Sequence, residues 1–315
     1  MEKIRLKSIP LKSIRIKDSF WDKYIKLVKD IILPYQWDTL NDRVEDAEPS
    51  HCIQNFKIAA GEETGEFQGA VFQDTDVAKW LEAVAFTLAS SGRDEKLERL
   101  ADETIALIGR AQCEDGYLNT YYTIKEPERR WSNLKEGHEL YTAGHMIEAG
   151  VAYYEATGKR ELLDIVSRFA DLICEKFGPD EVQCHGYPGH PEVELALVKL
   201  YQVTGERRYL DTAKYFIDVR GQGDNYFKLE EDGQKYKAIF PEFAGYQPEY
   251  SQSHLPVRKQ KTAEGHAVRA VYLYSAMADL AYEYQDKELE EACETLWNNM
   301  VHKRMYITGG IGSSG

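Results

Sequence analysis

Three histidines in this 315-residue chain share one setting. His138, His190 and His266 each follow a glycine, and each stands just ahead of a segment whose apolar residues return at three- and four-residue steps. A histidine at the start of a helix sits at the positive end of the helix dipole, which favours the neutral imidazole. That form donates a hydrogen bond through one nitrogen and accepts through the other. Three such groups, if brought together, suit the hydroxyls of a sugar. The plainer reading is that each histidine caps its own helix or satisfies a neighbouring backbone group, and the recurrence speaks against it, since a purely helical scaffold has no need for the same polar residue to return.

The elements that must position these residues are helical hairpins. Residues 137–158, GHELYTAGHMIEAGVAYYEATG, form a nearly charge-free segment apolar on more than one side, with Leu140, Ala143, Ile147, Val151 and Tyr154 on one line and Tyr141, His145, Glu148 and Ala152 on another. This spacing predicts a buried inner helix, ended by a glycine suited to the left-handed conformation. The segment that follows, KRELLDIVSRFADLICEKFG, alternates a polar line (Arg160, Asp164, Arg168, Asp171, Glu175) with an apolar one (Leu162, Val166, Phe169, Ile173) and predicts an outer helix. The plan repeats: YEATGKRELLD at 154–164 matches YQVTGERRYLD at 201–211, a third copy opens at Gly265-His266, and an earlier relative opens at Gln73-Asp74-Thr75-Asp76. Repeats of this size indicate stacked supersecondary units. The expected fold class is all-α, an (α/α)6-barrel-type toroid of helical hairpins. Inner helices that all run the same way place every inner N-terminus at one end, so the repeat predicts that the three imidazoles meet.

Four hairpins read clearly, and a helix over Phe20 to Leu33, stopped at Pro34, with a short partner around Ile53 to Ala60, makes a fifth unit. Five units leave a six-unit toroid incomplete, with apolar surface at the gap. The expectation is therefore that residues 1–315 are the N-terminal portion of a larger barrel. Residues 4–17 alternate apolar and basic positions and read as an extended segment. The stretches 114–136 and 220–264 are long aromatic-rich connections, the second with a β-hairpin expected around Asp232-Gly233. Tyrosines in such loops offer flat faces with a polar edge for carbohydrate, although the same residues also pack helical interiors.

Composition narrows the function. A formal charge of −14 opposes general attraction to nucleic acid or an anionic membrane. No run approaches the roughly 20 apolar residues of a membrane span, and the N-terminal stretch lacks a continuous signal core. Cys52, Cys113, Cys174, Cys184 and Cys293 are scattered without a C-x-x-C pair, which fits a reducing compartment and carries no local metal signature. A cytoplasmic protein with a small neutral partner is expected, and composition is compatible with a homo-oligomer. Among other polar residues, Asp74 and Asp76 read as caps of their helix, His145 as a core histidine, and Gln36 with Trp37 as cleft-lining residues. His51, His185, His254 and His302 carry no pattern, and acidic pairs such as Glu192 with Glu194 or Glu290 with Glu291 carry little information in a chain with 53 acidic residues.

Several phrases together resemble a known group. SFWDKYIKLVKDIILPYQWDTLND, FQDTDVAKWLEA, EDGYLNTYYT, RWSNLKEGHELYTAGHMIEAGVAYYEATGK, CHGYPGHPEVELALVKLYQVTG, SQSHLPVRKQKTAEGHAVRAVYLY and the terminal MYITGGIGSSG are similar to the glycoside hydrolase family 127 β-L-arabinofuranosidases. The resemblance covers nearly the whole chain. It implies an (α/α)6 barrel followed by β-sandwich domains, and sugar contacts from His138, His190 and His266, with Gln36 a weaker match. It also implies a retaining mechanism in which a zinc-bound cysteine thiolate attacks the anomeric carbon and a glutamic acid protonates the leaving oxygen. In the family those catalytic and zinc-binding residues follow the TGGIGS phrase. None of them is therefore expected within residues 1–315, no zinc is expected on this chain alone, and the isolated chain is expected to be inactive. Two alternatives stand beside this: another α/α-barrel carbohydrate enzyme, such as an epimerase or an unsaturated uronyl hydrolase, and a non-catalytic helical scaffold.

Overall fold

The computed structural model describes residues 9–241 and 247–312. Among them there is no strand beyond an isolated bridge between Phe177 and Cys184. The helices in chain order are α1 (Trp21–Leu27), α2 (Leu33–Leu40), α3 (Cys52–Ala59), α4 (Asp74–Ser91), α5 (Glu95–Ala111), α6 (Thr120–Ile124), α7 (Glu139–Thr157), α8 (Glu161–Lys176), α9 (Val193–Thr204), α10 (Arg207–Val219), α11 (Tyr226–Glu231), α12 (Ala267–Tyr284) and α13 (Lys287–Lys303).

The pairs α4/α5, α7/α8, α9/α10 and α12/α13 are the four hairpins. Their inner members pack in series, α4 on α7, α7 on α9 and α9 on α12, while α5 packs on α8 and α8 on α10 outside them. Each turn needs the chain to reverse at once, and each inner helix ends on a residue of positive φ: Gly92 (84°), Gly158 (79°), Gly205 (76°) and, in the last copy, Gln285 (54°). The inner helix α7 is enclosed from Leu140 to Tyr153 apart from Tyr141. The outer helix α8 buries Leu162, Val166, Phe169 and Ile173 completely. The two-sided and one-sided apolar patterns thus became inner and outer positions, and the fold is the all-helical toroid type expected. Units at the two ends of the series leave large apolar side chains exposed, Phe20, Trp21 and Tyr24 at one and Tyr282 and Trp297 at the other.

Four local expectations need correction. Pro34 does not stop the first helix: a π-helical stretch at Val28–Ile32 carries the chain into α2, where Pro34 sits in the first turn. A proline there loses no bond that the widened turn would have made. The hairpin expected at Asp232-Gly233 is absent from the described residues, and helix α11 runs up to that turn instead. Asn225 caps it by accepting from Phe227 N at 3.1 Å, Phe227 is fully buried, and Glu230 accepts from the backbone N–H groups of Leu134 (2.6 Å) and Lys135 (3.0 Å). The extended segment at 4–17 lies partly outside the described residues, and Leu11–Ser13 forms a single 3-10 turn.

The fourth concerns the aromatic connection at 114–136. Tyr117, Tyr121 and Tyr122 are buried in the core, so they serve packing. Asp74 explains how the segment is held. It caps nothing in its own helix; its carboxylate accepts from Thr120 N (2.7 Å) and Thr120 Oγ1 (2.5 Å). Tyr117 in turn donates to Glu139 Oε1 at 2.5 Å, and Trp131 N donates to Glu139 Oε2 at 2.8 Å. Two buried carboxylates therefore anchor the loop that ends at His138.

Candidate functional site

His138 and His266 are the residues immediately ahead of α7 and α12, and His190 lies three residues ahead of α9. Because the three inner helices run in parallel, these positions fall at one end of the array. The ring centroids of His138 and His190 are 5.9 Å apart and those of His190 and His266 are 5.7 Å apart. Phe72 and Phe240 pack on His138, Tyr250 on His266, and Tyr141 on both His138 and His190. The imidazoles thus form one row walled by aromatic rings.

Each ring is fixed through Nδ1. In His138, Nδ1 faces the carbonyl of Glu136, and in His190 it faces the carbonyl of Pro191 at 2.9 Å. A carbonyl oxygen only accepts, so Nδ1 carries the proton in both and Nε2 is left as an acceptor. His266 is opposite: its Nδ1 accepts from the backbone N–H of Arg269 at 3.3 Å, which leaves Nε2–H as a donor. The row therefore offers two acceptors and one donor, tautomers assigned from hydrogen-bond partners. Burial, with the Arg269 charge nearby, lowers the pKa of His138 to about 4 and that of His190 to about 2, and both effects lower that of His266. All three stay neutral at neutral pH.

The loop that carries His190 is held on several sides. Arg220, completely buried, donates to Pro188 O (2.7 Å) and Ser251 O (2.9 Å) and pairs with Glu194 Oε1 at 3.2 Å. Glu194 Oε2 accepts from Glu192 N at 2.9 Å. Gly189 N donates to Leu134 O (2.9 Å), and Gly189 O accepts from Arg269 Nη1 (3.0 Å), which ties this loop to the helix of His266. A Cβ on Gly189 would stand 2.2 Å from Lys135 O, so the glycine before His190 is needed for close approach of the two backbones.

Beneath the histidine row the inner helices carry a second polar layer. Tyr141 and Tyr272 lie next, with Tyr141 accepting from Lys79 Nζ at 3.3 Å. Deeper are His145, Glu148 and Glu192, all buried, with Lys199 paired to Glu148. Sequence reasoning passed over Tyr272, Arg220, Arg269 and the Glu192–Glu194 pair. The signal was present on α7, where His138, Tyr141, His145 and Glu148 recur at three- and four-residue steps and define the face turned to the array's axis. His145 is a buried histidine as expected, but its neighbours are carboxyl groups. Gln36 remains exposed on α2, its side chain without a hydrogen bond among the described residues, while the adjacent Trp37 stacks on Trp80 at 4.7 Å.

All five cysteines are free thiols. Among the described residues none of the five joins a cluster of metal-ligating atoms. Burial pushes the thiols of Cys52, Cys174 and Cys293 up to about 11, opposite to what a nucleophilic thiolate needs.

The family model for the catalytic domain of glycoside hydrolase family 127 β-L-arabinofuranosidases matches residues 13–315. The chain belongs to this family. It is 42% identical over 318 aligned residues to the non-reducing end β-L-arabinofuranosidase of Bifidobacterium longum subsp. longum, covering 96% of this chain and 48% of that protein. The crystal structure of a family 127 β-L-arabinofuranosidase from Geobacillus stearothermophilus T6 superimposes with a TM-score of 0.92 at 58% identity, covering 95% of this chain and 47% of that one. A second family 127 β-arabinofuranosidase gives 0.83 at 37% identity, over 96% and 45% of the two chains. This family 127 chain thus spans about half the length of the relatives it matches. No helix among its described residues is long and apolar enough to cross a membrane.

Proposed function

We infer that this chain supplies the sugar-recognising wall of a glycosidase that releases L-arabinose from β-L-arabinofuranosides, with His138, His190 and His266 as the hydrogen-bonding groups. The observation that carries the reading is the row of three neutral imidazoles with fixed tautomers at one end of the inner helices. Two acceptors and one donor pair with hydroxyls, which do both, and the surrounding aromatic rings give the apolar faces of a furanose something to rest on. A charged ligand finds no counter-ion among the three histidines. Gln36, next to the Trp37–Trp80 stack, is a fourth candidate contact.

In this reading residues 1–315 are the N-terminal part of an (α/α)6 barrel whose remaining helices, and the β-sandwich domains that follow, belong to the whole protein. The acid/base glutamate and the zinc-bound cysteine nucleophile of a retaining double displacement lie in that remainder. Zinc chemistry therefore involves none of this chain's cysteines, and the 315 residues alone bind without turnover. The five unpaired cysteines support a reducing, cytoplasmic setting.

Calorimetric titration with methyl β-L-arabinofuranoside tests the assignment. His190→Ala, which removes the central ring, is expected to weaken binding at least about tenfold, the equivalent of one hydrogen bond of about 1.4 kcal/mol, with the melting temperature held within a few degrees. Unchanged affinity in His138→Ala, His190→Ala and His266→Ala would overturn the reading. So would hydrolysis of an aryl β-L-arabinofuranoside by protein whose mass shows it ends at Gly315, for the part concerning turnover.

A further inference from the structure

Among the described residues no lysine or arginine pairs with Glu192. It is completely buried, and as a carboxylate neither of its oxygens finds a donor among the described residues. His145 Nδ1 lies 3.7 Å from Glu192 Oε1 and 4.0 Å from Glu148 Oε2, too far for a hydrogen bond, and both nitrogens of that ring are likewise without partners. Of the two lysines in the layer, Lys199 is bound to Glu148 and Lys79 donates to the Tyr141 hydroxyl. Glu192 and Glu148 face each other across this gap, in hydrogen-bonding contact when one of them carries a proton. An isolated carboxylate buried this deeply is strongly unfavourable, and neutralisation is the ordinary outcome.

Position gives the acid a task. Its carboxyl lies flat on the backbone of α7: a Cβ on Gly144 would stand 1.3 Å from Glu192 Oε2 and 2.9 Å from Val193 Cα. Two residues earlier in the chain is His190, and Tyr141, the ring against which His190 packs at 4.3 Å, is on α7 as well. The contact of Glu192 with Gly144 and Glu148 therefore fixes the loop of His190 against the helix of His138.

We propose that Glu192 is held as a neutral carboxylic acid donating its proton to Glu148, and that this bond, seated on Gly144, is what positions His190 in the row of three imidazoles. The groups facing the pair are consistent with it. Glu148 keeps its negative charge beside Lys199, Glu194 is neutralised by Arg220, His145 is kept neutral by burial and by Lys79, Tyr272 approaches from α12 with only a hydroxyl, and Glu82 on α4, pushed up to about 7 by burial and then by the Glu148 charge, is the further carboxyl near Lys199. Burial and then the Glu148 charge raise the pKa of Glu192, while its hydrogen bond and Lys199 offset burial to lower that of Glu148. One proton then serves two carboxyls, the arrangement expected when like charges share a buried site. Glu192 is thus a positioning residue for His190, and it rests on the sugar-binding reading only for its consequence on affinity.

The test uses the whole 315-residue chain with Glu192→Gln and Glu192→Ala. A carboxamide reproduces the shape and the donor of a neutral acid. Glu192→Gln is therefore expected to keep the His190 ring resonances in side-chain nitrogen NMR, and affinity for methyl β-L-arabinofuranoside within about twofold, whereas Glu192→Ala shifts those resonances and weakens binding about tenfold. Infrared difference spectra of wild type against Glu192→Gln at neutral pH are expected to contain one protonated carboxyl band that the variant lacks. Three results overturn the proposal: absence of that band, a glutamine variant that displaces His190 as the alanine variant does, or stoichiometric Zn²⁺ or Mn²⁺ retained by the wild type and lost in Glu192→Gln, which would make the cluster of His145, Glu148 and Glu192 a metal site. If the alanine variant does not fold, the band and the glutamine variant still decide. If wild type binds no arabinoside, the sugar reading fails, while the NMR and infrared results continue to judge this one.

Discussion

The sharpest energetic prediction concerns the buried Arg220–Glu194 pair that holds the His190 loop. Arg220 is fully buried and Glu194 almost so, the guanidinium contacts the carboxylate at 3.2 Å and the Tyr187 ring at 4.8 Å, and its remaining bonds go to the carbonyls of Pro188 and Ser251. In Glu194→Ala the guanidinium keeps its charge and its burial but loses its counter-ion, which costs about 3–5 kcal/mol. With an unfolding entropy of about 2.1 cal/mol/K per residue, that corresponds to a fall in melting temperature of about 5–8 °C for a chain of this size. Removing both charges should be gentler. Glu194→Leu combined with Arg220→Met leaves the two carbonyls without their donor and the Glu192 N–H without its acceptor, about 1 kcal/mol each, and should recover part of the loss. Urea unfolding and calorimetry on the single and double variants measure this directly. A Glu194→Ala cost below about 1 kcal/mol, or a double variant as damaged as the sum of its singles, would refute the claim that an unpaired buried charge dominates here.

Asp74→Ala removes the acceptor for both donors of Thr120 and is expected to cost about 1–3 kcal/mol for the orphaned buried N–H. The 114–136 connection should then become the first site of limited proteolysis, and retained resistance there would contradict the anchoring role. The histidine row predicts a sign for pH dependence. His190 falls from 6.5 to about 2 on folding, chiefly by burial and then through Arg269, so the unfolded chain takes up the proton first. The associated stability is complete above about pH 6.5 and declines as pH falls below it, by about 2 kcal/mol at pH 5. In His190→Asn the stability difference between pH 7 and pH 5 should shrink by about that amount; an unchanged difference in denaturant midpoints would show that this ring titrates normally.

Much of the architecture was legible without coordinates because it rests on local periodicity. The two-sided apolar pattern of 137–158 could only be an inner helix, the one-sided pattern of 159–178 only an outer one, and the glycines at 158 and 205 marked where each pair turns. The repeat also placed His138, His190 and His266 at one end, since parallel inner helices leave no other arrangement. Family phrases added the chemistry to expect of them.

What the sequence left undecided was every relation between residues distant in the chain. Asp74 looked like a helix cap because capping is a local role, and only the docking of the 114–136 segment showed that Thr120 supplies its donors. A β-hairpin was expected around Asp232-Gly233 because that pair favours a turn, whereas residues 226–231 form a helix capped by Asn225, with Glu230 reaching the backbone of Leu134 and Lys135. Glu192 and Glu194 were lost among many acidic residues. Burial and partners distinguish them, one held by Arg220 and the other facing Glu148 over Gly144. Helix formation and facing follow from spacing along the chain, and so the sequence settles them. Tautomer, protonation and partner choice depend on which groups lose water together, and that is settled only when the hairpins close on one another.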